Sequence, residues 1–429
     1  MQRTPAPVAT SPVARLGHRP ALDGLRGIAI ALVVLVHSGN SLWPEAKGWL
    51  AQGGPLGVHL FFVLSGFLIT TMLLAEHGST GRIRVGRFAV RRARRLVPAL
   101  VAVLAVLGAM AALGVRLRVA TVASSAVYIF TATANAMMLG FIFPGLNEVT
   151  DGGGIVPELM HTWSLAIEVQ FYVLWALALW ALTRLGVPLR WMAALTAAAI
   201  VALAVARYLA LANGTTWLDL YFSTWSRLDA PLVGSLAGMA FVAGWCERVP
   251  RRLLVVLGAA GLVGLLATAF LTDWTLQALP KGLYTVLALG AALTVLAVVT
   301  VGDGRLAGVL SFGPLVWLGT VSYSLYVWHY GIFFTIERRD PSWPGPVRLL
   351  VGVGVALVVS AASYYLVERP FLRRRRRPDP VDPAQVPHPQ PASARAATDV
   401  PPEIPPGTAT PDAVTPDARP APAPAPTTG

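Results

Sequence analysis

The chain has 429 residues, 55% of them hydrophobic and 13% charged, with a formal net charge of +13 and a mean hydropathy of +0.61. Soluble domains carry nearer about 25% charge, so an ordinary soluble fold is excluded and an all-α, polytopic membrane bundle is indicated. Cys246 is the sole cysteine, which excludes internal disulfides and a cysteine-built zinc site, and no metal site is expected. Arginines beside apolar segments are topology signals first, so the positive charge does not indicate nucleic acid.

Residues 1–19 are Pro/Ala-rich and are expected to form a flexible tail rather than a secretory signal. Apolar segments follow at 22–43, 55–76, 96–115, 161–184, 190–212, 227–246, 252–272, 282–301, 314–336 and 347–370, about ten spans in all. The first contains Arg26 and His37. Their separation brings them within about 20° of three full helical turns, so both leave one face, roughly 16 Å apart along the axis. Charged and titratable groups at membrane depth are costly, and are functional, paired or near a helix end. Asp23, three residues before Arg26, is positioned to pair with it. In the second span, Ser65 and Gly66 read most simply as small residues that let helices pack closely.

Arg91, Arg92 and Arg95 cluster before the third span. They read as a topology anchor, and their guanidinium forks also suit a polyphosphate headgroup. The stretch 119–143 holds Thr121, Ser124, Ser125, Thr131, Thr133 and Asn135 and is a poor spanning candidate. Counting it as a span would put Arg248 to Arg252 and Arg373 to Arg377 outside, against the positive-inside rule. It is therefore expected to be re-entrant or packed at the outer surface, with both termini cytoplasmic. Residues 20–373 form the membrane domain. Residues 374–429 are a Pro/Ala-rich tail with too little apolar bulk to order itself, and no further globular domain is expected.

Counting 1.5 Å per residue from each span's start places His37, Glu168, His329 and the pair Arg227 and Asp229 in the outer third of a core about 30 Å thick. An acid, a base and a cation at one level suggest a lined cavity. Trp163, Trp328, Tyr323 and Tyr326 read as packing or interface aromatics.

Several motifs share one pattern. Asp23-Gly24-Leu25-Arg26-Gly27 with His37, Gly57 to Phe67, Arg91-Arg92-Ala93-Arg94-Arg95-Leu96-Val97-Pro98, and Trp163-Ser164-Leu165 with Glu168-Val169-Gln170-Phe171-Tyr172 come first. Arg227-Leu228-Asp229, Ser322 to His329 and Val367-Glu368-Arg369-Pro370-Phe371 follow. Together, over residues 20–373, they resemble the signature of the membrane-bound acyltransferase 3 family. Val169 stands where many members carry a second glutamate, and Gly331 replaces a proline.

The resemblance implies a plasma-membrane O-acyltransferase. It would move an acyl group, often acetyl, from cytoplasmic acyl-coenzyme A to a hydroxyl of a carbohydrate, glycolipid or secondary metabolite, with no permanently bound cofactor. It implies His37, Arg26 and Glu168 as catalytic, Glu168 orienting the His37 imidazole. Arg92, Arg95 and Arg91 are then expected at the donor, and His329, Asp229, Arg227 and Trp163 at the acceptor end. A proton-coupled transporter or lipid flippase could use the same buried groups, but inverted repeats and matched broken helices are not evident. A membrane scaffold would not need ionisable groups on four helices.

Overall fold

The computed structural model describes residues 17–373 apart from 47, 49, 51–52, 54, 116, 118, 137–154, 273–278, 303 and 340–341. The tail expectations fall on residues 1–16 and 374–429, outside the described residues, as does the end of the 119–143 stretch. No strand occurs among the described residues. The principal helices are α1 (Pro20–Ser41), α2 (Pro55–Thr80), α3 (Val85–Ala112), α4 (Val119–Phe130), α5 (Trp163–Arg184), α6 (Leu189–Ala212), α7 (Asp229–Val242), α8 (Arg251–Leu271), α9 (Tyr284–Val301), α10 (Ser322–Arg339) and α11 (Gly345–Ala362). Eight helical segments among the described residues are long and apolar enough to cross a membrane.

Two expected spans differ from ordinary membrane helices. The segment at 227–246 yields α7, only 14 residues long. The segment at 314–336 is two helices, Gly313–Thr320 and then α10, which begins at Ser322. Helix α4 has 12 residues and is therefore about 18 Å long, well short of the roughly 30 Å hydrocarbon core. The polar residues around it serve internal structure: Asn135 Nδ2 donates to Thr224 Oγ1 at 2.9 Å and Gln170 Nε2 donates to Asn135 Oδ1 at 3.0 Å.

Close backbone contacts fix the centre of the bundle. A Cβ on Gly24 would lie 1.7 Å from the Leu310 carbonyl oxygen, and one on Gly319 would lie 1.7 Å from that of Asp23. The start of α1 thus meets the segment Arg305–Thr320 backbone to backbone, as small residues allow in membrane bundles. Likewise Gly66 and Gly234 bring α2 against α7, since a Cβ on Gly66 would lie 1.9 Å from the Pro231 oxygen. Val101 on α3, Trp191 and Val201 on α6 and Leu350 on α11 stand exposed on outward faces, as lipid-facing residues would.

Arg227 and Asp229, expected at the acceptor end, are held in a buried network between helices. Asp229 Oδ2 pairs with Arg207 Nη1 at 3.0 Å, both side chains 1% exposed, and accepts from Thr285 Oγ1. Arg207 also donates to the carbonyls of Pro280 and Ser226. Arg227 lies over the rings of Tyr284 (4.2 Å) and Tyr221 (5.2 Å). A buried carboxylate needs a buried counter-charge, and α6 supplies one from within an otherwise apolar span. These groups tie α6, α7 and α9 together.

Candidate active site

Two cavities lie along the face of α1 that carries both Arg26 and His37. The first, toward the start of α1, is lined by Arg26, Ser65, Arg92, Arg95, Glu168, Tyr172 and Ser322. The Glu168 carboxylate accepts from the hydroxyls of Ser65 and Tyr172. Arg26 Nη2 donates to Ser322 Oγ at 3.2 Å, while Asp23 faces His18 at 3.1 Å. The Arg92 guanidinium lies over the rings of Tyr172 (5.1 Å) and Phe88 (5.5 Å). Three guanidinium groups against one carboxylate give this cavity a positive balance, suited to a phosphate-bearing ligand.

The second cavity, at the far end of α1, is lined by His37, Asn40, His161, Trp163, Tyr221, Tyr326 and Tyr330 among others. His329 is fully buried and stands behind His37 rather than in this wall. Its Nδ1 lies 2.8 Å from the carbonyl oxygens of both Leu325 and Tyr326, so that nitrogen carries the ring proton. Nε2 of His329 then accepts from His37 Nδ1, 2.9 Å away. His37 Nε2 is left with a lone pair on a ring that remains partly accessible. The tautomer follows from the hydrogen-bond pattern.

Val58 and Tyr326 line both cavities and form their common wall. The Tyr326 hydroxyl is engaged by Ser164 Oγ at 2.7 Å and by the carbonyl oxygen of His161.

The structure therefore divides the expected site. Arg26, Arg92, Arg95 and Glu168 share the first cavity, while His37 and Trp163 line the second. The Glu168 carboxylate is engaged by Ser65 and Tyr172 and not by His37, whose side-chain partner is His329. The reason is the start of the fourth span, where the six-residue 3-10 helix Pro157–Thr162 precedes α5. Its steeper rise of about 2 Å per residue carries Glu168 roughly 20 Å inward and leaves His161 at the level of His37. Arg91 is turned away from the cavity and pairs with Glu76 at 3.5 Å, because one residue along a helix is a 100° rotation whereas Arg92 and Arg95 share a face.

Asp229, Arg227 and His329 are not among the residues lining the second cavity. Ser65, expected to be a packing residue, donates to Glu168 in the first cavity, while its neighbour Gly66 packs against α7. Tyr326 and Tyr323, expected to be packing aromatics, line the first cavity. His161 also lines the second cavity; its sequence signal is only its position at the start of a span, two residues before Trp163. Among the described residues no group of three His, Cys, Asp or Glu side chains could hold a metal ion.

A family model described as an acyltransferase domain, acyltransferase family 3, matches residues 19–365. The chain belongs to this family. Among its relatives is a protein of Listeria monocytogenes named peptidoglycan O-acetyltransferase, 30% identical over 368 residues, covering 82% of this chain and 55% of the relative. A Staphylococcus aureus protein provisionally named an O-acetyltransferase is 28% identical over 368 residues, covering 83% and 58%. A Bacillus subtilis protein provisionally named a peptidoglycan O-acetyltransferase is 30% identical over 358 residues, covering 82% and 54%. The chain thus spans about half the length of the curated relatives it matches. No solved structure matches it. Within this acyltransferase family's chain, both cavities fall inside the matched region.

Proposed function

We propose that the protein is a membrane O-acetyltransferase that moves an acetyl group from acetyl-coenzyme A to a hydroxyl of a cell-envelope carbohydrate, of the peptidoglycan type named for its relatives. The observation that carries this reading is the pairing of His329 with His37, which leaves His37 Nε2 as a positioned base in a cavity separate from the guanidinium cluster.

The donor's phosphates bind at Arg92 and Arg95, and Arg26 continues the positive lining toward the bundle centre. The donor's extended arm follows α1 past Val58 and Tyr326, bringing the thioester to His37. The acceptor hydroxyl gives its proton to His37 Nε2 as its oxygen bonds to the acyl carbon. The carbon–sulfur bond breaks, and the thiolate takes the proton from the imidazolium, leaving coenzyme A as the free thiol. A general base of this kind contributes about 10²–10⁴ in rate. Glu168, held by Ser65 and Tyr172, balances the guanidinium groups at the donor end. The arginine-rich end of α3 faces the cytoplasm of a plasma-membrane protein, in keeping with the positive-inside rule.

The test uses labelled acetyl-coenzyme A with membranes containing wild-type protein or His37→Ala. Label is expected in a glycan O-acetyl ester with the wild type and not with the variant, at equal protein level. Near-normal transfer by His37→Ala would remove His37 as the base. Uptake of label without any covalent product would favour transport.

A further inference from the structure

His161 stands out in the second cavity because its ring is fixed and its nitrogens make no well-formed hydrogen bond. It is 4% exposed, and among the described residues neither Nδ1 nor Nε2 makes a well-formed hydrogen bond, the Tyr326 backbone offering the ring only a weak contact. Its ring stacks on Tyr330 (centroids 5.1 Å apart, 28° between planes) and meets the ring of His329 edge-on at 5.2 Å. The Tyr326 hydroxyl donates to its backbone carbonyl, so the residue is held at both its main chain and its side chain. It lines the same cavity as His37. Buried polar atoms in folded proteins are almost always hydrogen-bonded, and two such nitrogens without a well-formed bond, on a rigid ring at a cavity wall, point to a ligand. A neutral imidazole offers one N–H donor and one lone pair, a set that matches a hydroxyl or an amide. Around it, Trp163 and Tyr221, whose rings are 4.7 Å apart, supply flat apolar surface.

We infer that His161 is an acceptor-recognition residue: it hydrogen-bonds a second polar group of a carbohydrate, adjacent to the hydroxyl that His37 deprotonates, while Trp163 and Tyr221 cover the sugar's apolar face. This rests on the acetyl-transfer reading above and deepens it. His37 acts on the reacting hydroxyl, and His161 fixes which hydroxyl is presented.

The experiment measures transfer from labelled acetyl-coenzyme A to purified glycan fragments of peptidoglycan by full-length protein in detergent, with donor and acceptor varied separately. His161→Phe keeps the ring stack and removes both polar atoms. It should raise the acceptor KM about tenfold or more and leave the donor KM within about twofold. His161→Gln, which restores a donor and an acceptor, should recover most of that loss. An unchanged acceptor KM in His161→Phe, or equal rises for donor and acceptor, would overturn the inference. So would a His161→Gln protein of wild-type stability that behaves like His161→Phe. Absence of transfer by the wild type would instead count against the acetyl-transfer reading itself.

Discussion

His329 is the residue whose replacement best tests the base. It touches His37 through one 2.9 Å hydrogen bond and fixes the His37 tautomer because its own Nδ1 is committed to two carbonyl oxygens. In His329→Leu the His37 ring loses that acceptor and can adopt the other tautomer, presenting an N–H to the acceptor hydroxyl, which cannot remove a proton. The hydrogen bond alone is worth about 0.5–1.5 kcal/mol, roughly two- to tenfold in rate. The misplaced proton raises the expected loss in kcat to about ten- to a hundredfold. His329→Gln can accept from His37 through its amide oxygen and donate to the carbonyls through its nitrogen, and should stay within about fivefold of wild type. The assay is acetyl transfer normalised to membrane-inserted protein, extended to a double-mutant cycle with His37→Ala. In the His37→Ala background, His329→Leu should cost nothing further, because its effect runs through the missing ring. Equal activity of His329→Leu and wild type, or full additivity in the cycle, would refute the reasoning.

Other expectations follow from neighbouring contacts. Arg92→Ala and Arg95→Ala should each raise the donor KM by about tenfold or more, whereas Arg91→Ala, whose partner is Glu76, should leave it within about twofold; steady-state kinetics at varied acetyl-coenzyme A decide this. Asp229→Ala leaves the buried Arg207 charge uncompensated and should destabilise the protein by about 3–5 kcal/mol, seen as lost thermal stability in detergent, with KM values unchanged in the surviving fraction. Gly24→Val places a branched side chain against the Leu310 carbonyl, where even a Cβ would lie at 1.7 Å, and should abolish accumulation of folded protein on membrane blots. Ser65→Ala removes one of two donors to Glu168 and should impair donor kinetics more than acceptor kinetics.

Much of the bundle was legible because apolar length and arginine position carry it. The shared face of Arg26 and His37 follows from helical periodicity alone, and the poor spanning character of 119–143 from its hydroxyl and amide side chains and from the arginine distribution. What misled was the conversion of sequence distance into depth. A count for Glu168 that starts an α-helix at His161 falls short, because a 3-10 turn opens the span four residues earlier and Glu168 lines the first cavity. Arg207 sits inside an apolar span, where a charge almost always has a partner; that partner is Asp229, which does not line the second cavity. Arg91 and Arg92 are neighbours in sequence yet face apart, which only the helix phase distinguishes. His161 gave a weaker signal, since nothing in its neighbours says that both nitrogens lack a well-formed bond.

The common wall of Val58 and Tyr326 has a further consequence for the cell. A protein hollowed from two ends of a bilayer is a short step from a leak, because polar pockets facing one another could pass protons down the membrane potential. Here the only hydroxyl that borders both hollows among the described residues is anchored by Ser164 and the His161 carbonyl, with a valine beside it. With Val58 and Tyr326 in these positions the two hollows are kept apart as long as no acyl arm lies between them.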